Sequence, residues 1–235
     1  MIAVKNLTKS FGRNEVLKGI SLQIRDGVIT AVLGPNASGK TTLIKSLLGM
    51  VIPQNGTIEL NGADIRNNWK YRQQIGYLPQ IARFPENLKV KELVRMISDI
   101  RNSEGNLLPL ADIFELHGVM NKPLRHLSGG TRQKVNIALA FMFDTPVYIL
   151  DEPTAGLDPL ALIRFKELLN KKKNEGKTIL LTTHIVGLVD EIADDIVFLL
   201  EGNIFFSGAL ELLRQMHNGQ SLELSIAGIL EGNHD

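Results

Sequence analysis

The stretch VITAVLGPNASGKTTLIKSLLGM, residues 28–50, narrows the possible folds of this chain more than any other. A short apolar run with β-branched residues meets a glycine turn. The turn opens a segment of helical apolar spacing that ends near Gly49. Strand, glycine loop and helix in direct succession predict an α/β core built on a parallel sheet. Gly34, Gly39, Lys40 and Thr41 satisfy G-x-x-x-x-G-K-[S/T] in that context, so the turn is expected to be a phosphate loop. In a loop that also holds Asn36, the backbone N–H groups of Ala37, Ser38, Gly39, Lys40, Thr41 and Thr42 are expected to converge on a nucleotide β-phosphate. Lys40 would reach the β- and γ-oxygens, and the Thr41 hydroxyl would ligate Mg²⁺.

VYILDE, residues 147–152, is an apolar strand ending in two carboxylates. Asp151 is suited to hold the Mg²⁺ shell. Glu152 is suited to orient or deprotonate a water attacking the γ-phosphate, as general base. An isolated acidic pair at a strand end is usually a solvated cap, but a phosphate loop upstream in the same core displaces that reading. His184 follows the run ILLTT, at the carboxyl end of a core strand where open α/β sheets bind ligands, and a γ-phosphate contact is expected of it. Gln80, which ends IGYLPQ, would on its own be a surface amide.

Along the rest of the chain, residues 1–65 alternate short β-like runs (MIAVKNL, LKGISLQI, VITAVLG, GTIELNGADI) with turns marked by Gly27, Asn55–Gly56 and Asn61–Gly62. From about 81 to 145 the pattern turns helical. Val90, Leu93, Val94, Ile97 and Ile100 recur at three- and four-residue spacing and predict one buried face. LPLADIFELHGVM is a second helical candidate, and Val135, Ala138, Leu139 and Met142 form a third stripe. KTILLTTH reads as a buried parallel strand, reached by a crossover helix ending at Gly176. DDIVFLLEGNIFFSG predicts a hairpin turning at Glu201–Asn203, followed by the short helix ALELLRQM. Residues after about His217 carry no strong pattern and are expected to fray.

A net charge of +1 offers no field for nucleic acid or anionic lipid, and no cysteine is present for disulfides, thiolate metals or iron–sulfur clusters. The opening MIAVKNLTKSFG lacks the features of a secretion signal, and runs such as IVFLL and VYIL are far short of a membrane span. The chain reads as soluble, so any membrane role is expected to come through a partner.

One further stretch, LSGGTRQK at 127–134, looks like a second anion-binding turn feeding a helix. With GPNASGKTT, YLPQ, LSGGTRQK, YILDEPTAGLDP and TTH in that order, the chain resembles the ATP-binding subunit of ABC transporters over roughly residues 1–215. The resemblance implies an α/β fold: a P-loop NTPase core with a parallel sheet, an N-terminal antiparallel β subdomain and an inserted α-helical subdomain at 81–145. A single ATPase domain would span 1–235, with a short tail at 216–235. Two copies would stack head to tail and sandwich two ATP molecules. Ser128, Gly129 and Gly130 of each would cap the γ-phosphate held by the partner's Lys40. Phe11 would stack on adenine, and Gln80 would sense Mg²⁺ and the attacking water while coupling the helical lobe to an integral membrane permease. Glu152 would be the catalytic base, His184 a γ-phosphate ligand, and Asp158 a link across the dimer interface. Ala37 stands where the family usually has glycine, at a position where alanine tolerates positive φ poorly.

The implied activity is ATP hydrolysis, by a subunit held at the inner face of the cell membrane through its permease, with no nucleic-acid partner. The alternative is a non-transport ABC ATPase switching a soluble or nucleic-acid partner. Against it, no coiled-coil heptads separate the phosphate loop from LSGG, only one cassette is present, and the charge is near neutral. A P-loop kinase would need an acceptor pocket and lid in place of LSGG. The short tail and LSGGTRQK are closer to export or membrane-assembly systems, with a texture similar to ATPases of copper-enzyme (nitrous oxide reductase) maturation.

Overall fold

The computed structural model describes residues 1–66, 68–216 and 221–231. Two sheets organise it. The first is antiparallel, in the order β2-β1-β4-β5, from β1 (Ile2–Phe11), β2 (Asn14–Ile24), β4 (Asn55–Leu60) and β5 (Ala63–Asp64). The second has the order β10-β9-β3-β8-β7-β6, from β3 (Ile29–Leu33), β6 (Ile75–Leu78), β7 (Val147–Asp151), β8 (Thr178–Thr183), β9 (Asp195–Leu200) and β10 (Asn203–Ala209). It is parallel throughout except for β10, which returns antiparallel beside β9.

Every residue of β3, β7 and β8 is buried, which is why these strands read as continuous apolar runs rather than as alternation. Their successive side chains feed two cores. Ala31, Leu150 and Leu181 enter a cluster built with the helices, while Val32, Ile149 and Leu180 enter another with helix α1 (Lys40–Leu47) and the antiparallel sheet. The phosphate-loop segment thus leaves the middle of a sheet covered on both faces.

Helices α2 (Val90–Arg101), α3 (Leu108–Ile113) and α4 (Gly129–Phe141) lie between β6 and β7 in the chain. The predicted α2 stripe buries Val90 and Leu93 and half-buries Val94 and Ile97. Ile100 is a correction: it is 73% exposed, because in the last turn of α2 the inward position is taken by Arg101, which donates to Ile75 O and lies 4.7 Å over the Phe143 ring. α4 is buried on nearly all sides from Val135 to Phe141, and Phe141 stacks on Tyr148 at 4.4 Å.

The crossover helix α5 (Pro159–Asn174) begins at an Asp158 cap and Pro159, carries Lys171, Lys172 and Lys173 in its last turn, and stops before Gly176 at φ 78°. Helices α6 (Val186–Ile192), α7 (Leu210–Met216) and α8 (Leu222–Glu231) complete the chain. The expected fraying of the tail is corrected by α8, which buries Leu222, Ser225 and Ile226 on one face. The expectation also covers 217–220 and 232–235, which lie outside the described residues. Among the described residues no helix is long and apolar enough to cross a membrane.

Candidate functional site

Residues 36–42 line a cleft of about 390 Å³ together with Asn14, Val16, Gln80 and Glu152. Its floor is the loop between β3 and α1. Two positions in that loop have no room for a side chain. A Cβ on Gly34 would stand 2.0 Å from Leu199 O, and one on Gly39 (φ 110°) would stand 2.9 Å from Val16 O. Ala37 takes up φ 65°, the positive value expected of a glycine there, and so stores a little backbone strain. The loop is tied down from outside by Gly202 N–H, which donates to Ser38 O at 3.1 Å. Not every amide of 37–42 is free: Ser38 N–H turns to Pro35 O at 3.3 Å, whereas Lys40, Thr41 and Thr42 open the first turn of α1.

Lys40 is 6% exposed and folded back on its own loop, donating to Gly34 O at 2.7 Å and Pro35 O at 3.0 Å. Its Nζ also lies 3.7 Å from Glu152 Oε1. Glu152, the residue after β7, is buried and held at φ 47°, an uncommon conformation for a non-glycine residue. Its other oxygen, Oε2, meets His184 Nδ1 at 3.0 Å, so one carboxylate joins the loop after β7 to the end of β8. His184 is more than half exposed and, unlike Glu152, is not among the residues lining the cleft.

Asp151 lies behind Glu152 and is almost fully buried. Thr41 Oγ1 donates to its Oδ1 at 3.3 Å, and Thr182 Oγ1 to the same oxygen at 2.6 Å. Thr182 also accepts the Glu152 N–H at 3.1 Å, so one hydroxyl fixes both acidic residues. Tyr77, on β6, has its phenol pushed up to about 12, chiefly by burial and then by the Asp151 charge.

The remaining expected residues fall elsewhere. Phe11 is 52% exposed at the end of β1, with Lys9 Nζ 5.0 Å above its ring, and is not among the residues lining the cleft. Ser128 caps α4, its Oγ accepting Thr131 N–H at 3.2 Å, and Asp158 caps α5, its Oδ1 accepting Ala161 N–H at 2.8 Å. Neither they nor Gly129 and Gly130 line the cleft of their own chain. Asn14, Val16 and Thr182 belong to the site or its support without a motif to announce them. Only the Thr pair before His184 gave a trace.

The ABC transporter family model matches residues 17–155, which include the loop, the LSGG turn and both carboxylates. The chain belongs to the ABC transporter family. Among its relatives, the lantibiotic transport ATP-binding protein SrtF of Streptococcus pyogenes is 32% identical, over 94% of this chain and 98% of its own. The Nod factor export ATP-binding protein I of Burkholderia orbicola is also 32% identical, over 93% of this chain and 74% of its own. A solved ATP-binding subunit of an ABC transporter superposes with TM-score 0.92 at 32% identity, covering 98% of this chain and 99% of that one. A dimeric ABC cassette in a post-hydrolysis state bound to ADP and Pi superposes with TM-score 0.79 at 26% identity, covering 89% of this chain and 99% of that one.

This chain is thus an ABC transporter ATP-binding subunit with the α/β ATPase-cassette fold, and its residues fit ATP and Mg²⁺. Ser38 Oγ is buried with no hydrogen-bond partner among the described residues, in a loop whose glycines leave space only for backbone. A phosphate oxygen would satisfy it. Thr41 hydroxyl and Asp151 carboxylate form an all-oxygen donor pair, suited to a hard divalent cation that keeps most of its shell from phosphate and water.

Proposed function

We propose that this ABC subunit hydrolyses ATP as a head-to-tail pair of identical copies, and that pair formation and release drive a separate membrane-spanning permease in the export direction. The observation that carries the reading is Glu152, held between Lys40 and His184 at the edge of the phosphate-loop cleft. Bound Mg²⁺ would neutralise charge on the β- and γ-oxygens. Thr41, Asp151 and Gln80 would hold it, and Lys40 would turn from its loop carbonyls to the same oxygens. Glu152 would take the proton of the attacking water as the bond from the γ-phosphorus to the ADP oxygen breaks, while His184 steadies the γ-phosphate. No covalent intermediate on the protein is needed.

The pairing reading is supported by what the cleft lacks. Ser128, Gly129, Gly130 and Asp158 stand off their own cleft, as residues serving a partner's nucleotide would. The dimeric neighbour bound to ADP and Pi supports it too. Phe11, exposed beside the cleft's Asn14, keeps its assignment to adenine as part of this proposal. Export is supported by the names of the relatives above, which speak of lantibiotic transport and Nod factor export; neither names a copper enzyme. The subunit would sit at the cytoplasmic face through its permease, and a net charge of +1 gives no support to a nucleic-acid partner.

The test is to recover tagged Glu152→Gln protein from detergent-solubilised native membranes with Mg·ATP. A stoichiometric multi-span protein is the expected companion. Recovery of only ribosomes, nucleic acid or soluble proteins would overturn transport and leave the alternative, an ATP-switched dimer with another client.

A further inference from the structure

After the LSGG turn and Thr131 come three side chains, Arg132, Gln133 and Lys134, and the nucleotide chemistry above uses none of them. Arg132 is taken up within its own layer: Nη2 donates to Leu124 O at 3.1 Å, and Nη1 lies 3.6 Å from Glu86 Oε1. The other two reach out of that layer. Gln133, 8% exposed, donates from Nε2 to Pro153 O at 2.8 Å. Lys134 Nζ lies 2.7 Å from Asp158 Oδ2. Just before them the two backbones touch, since a Cβ on Gly130 would stand 2.9 Å from Gly156 O. Contacts at 130, 133 and 134 therefore fasten the first turn of α4 to residues 153, 156 and 158. That segment starts immediately after Glu152 and ends at the cap of α5.

We infer that Gln133 and Lys134 are positioning residues that clamp the LSGG turn to segment 153–158, so that Ser128 and Asp158 meet a partner subunit as one preformed unit. The inference rests on the head-to-tail pair proposed above. Two separate mobile elements would each have to be ordered on association, and that ordering opposes binding; a clamp made beforehand removes the cost. The Gln133 bond is buried, so its loss strands a carbonyl. The Lys134 bond is charge-assisted and aligns Asp158 while leaving Oδ1 for the α5 cap. Because the clamped segment is continuous with Glu152, the base of one site and the turn serving the other shift together.

The test compares Lys134→Met with Lys134→Arg, each placed in Glu152→Gln protein. Lys134 is largely covered and Met keeps its aliphatic stem, so folding is preserved and is checked by circular dichroism. Binding of a fluorescent ATP analogue below the dimerising concentration reports the single subunit, and sedimentation with Mg·ATP reports the dimer. A partly exposed ion pair contributes up to about fivefold to an equilibrium, and a symmetric dimer holds two whose factors multiply, so Lys134→Met is expected to raise the dimer Kd by up to about 25-fold. Single-subunit ATP affinity should stay unchanged, and Lys134→Arg should restore dimerisation. Gln133→Glu, which replaces the donor by an acceptor facing Pro153 O, should weaken the dimer as well. Dimerisation of Lys134→Met equal to that of Glu152→Gln alone would overturn the clamp and leave the pairing intact. Failure of Glu152→Gln itself to form an ATP-dependent dimer would overturn the pairing, and the clamp with it.

Discussion

His184 Nδ1 and Glu152 Oε2 lie 3.0 Å apart, and the same glutamate reaches Lys40 with its other oxygen at 3.7 Å. A carboxylate held from two sides by cationic or protonatable groups is placed to meet a water whose attack develops charge between them. Glu152→Gln keeps the shape and both neighbours but cannot accept a proton. Turnover is expected to fall by about 10²–10⁴-fold, with ATP binding retained and a nucleotide-bound dimer accumulating. Phosphate release and gel filtration in Mg·ATP check this; wild-type turnover would remove Glu152 from the chemistry.

Ser128 begins α4 away from its own cleft, so enlarging it should harm only the assembled pair. Ser128→Arg is expected to abolish hydrolysis while leaving single-subunit ATP affinity within about twofold, the range of a surface substitution. A large loss of affinity, measured by titration with a fluorescent ATP analogue, would mean that the LSGG turn serves its own nucleotide.

Thr182 fixes Asp151 and the Glu152 backbone with one buried hydroxyl. Thr182→Val preserves the branched shape that the strand wants but removes one hydrogen bond from each acidic residue, leaving Asp151 with Thr41 Oγ1 and the Glu152 N–H with Thr182 O. We expect a stability loss of about 1–3 kcal/mol and a lower kcat at saturating Mg·ATP. Urea melts and steady-state kinetics on the same preparation separate the two effects. Unchanged values for both would show that the hydroxyl does not hold the acidic pair.

Asp158 is held below its ordinary value of 3.8, first by the hydrogen bond from Lys134 and then by the backbone N–H of Ala161. A depressed carboxylate contributes stability above the unfolded pKa and loses it as pH falls through the folded one. The melting temperature of Lys134→Met should therefore lie below wild type at neutral pH, and the gap should close as pH falls through the lowered folded-state pKa of Asp158 and the carboxylate becomes protonated in both states. A gap that persists in acid would assign the effect to packing of the lysine stem.

The phosphate loop, both carboxylates and the strands carrying them were legible because their chemistry sits in short contiguous stretches. Buried parallel strands announce themselves as unbroken apolar runs. What escaped depended on convergence of distant segments. Asn14 and Val16 reach the cleft from β2, and nothing around them in sequence signals a nucleotide. Lys134 and Asp158 meet across the end of β7, and each alone reads as a surface charge. Ile100 keeps the helical spacing of its stripe, but spacing cannot tell that Arg101 rather than Ile100 turns inward in the last turn. Helix α6 hides in HIVGLVDEI, whose β-branched residues resemble the strand before it. In α8, Leu222, Ser225 and Ile226 share one face, but Ser225 occupies a core position and weakens the pattern.

The phosphate loop leans on residues far downstream: Leu199 O closes over Gly34, and Gly202 N–H holds Ser38 O. A chain emerging from the ribosome would complete its first strands, α1 and the LSGG helix long before residues 199–202 are made. Competence to bind a nucleotide tightly would then arise in one late step, when the β9–β10 turn slots in behind the loop. Nascent chains halted before residue 199 would then not draw on the cell's ATP.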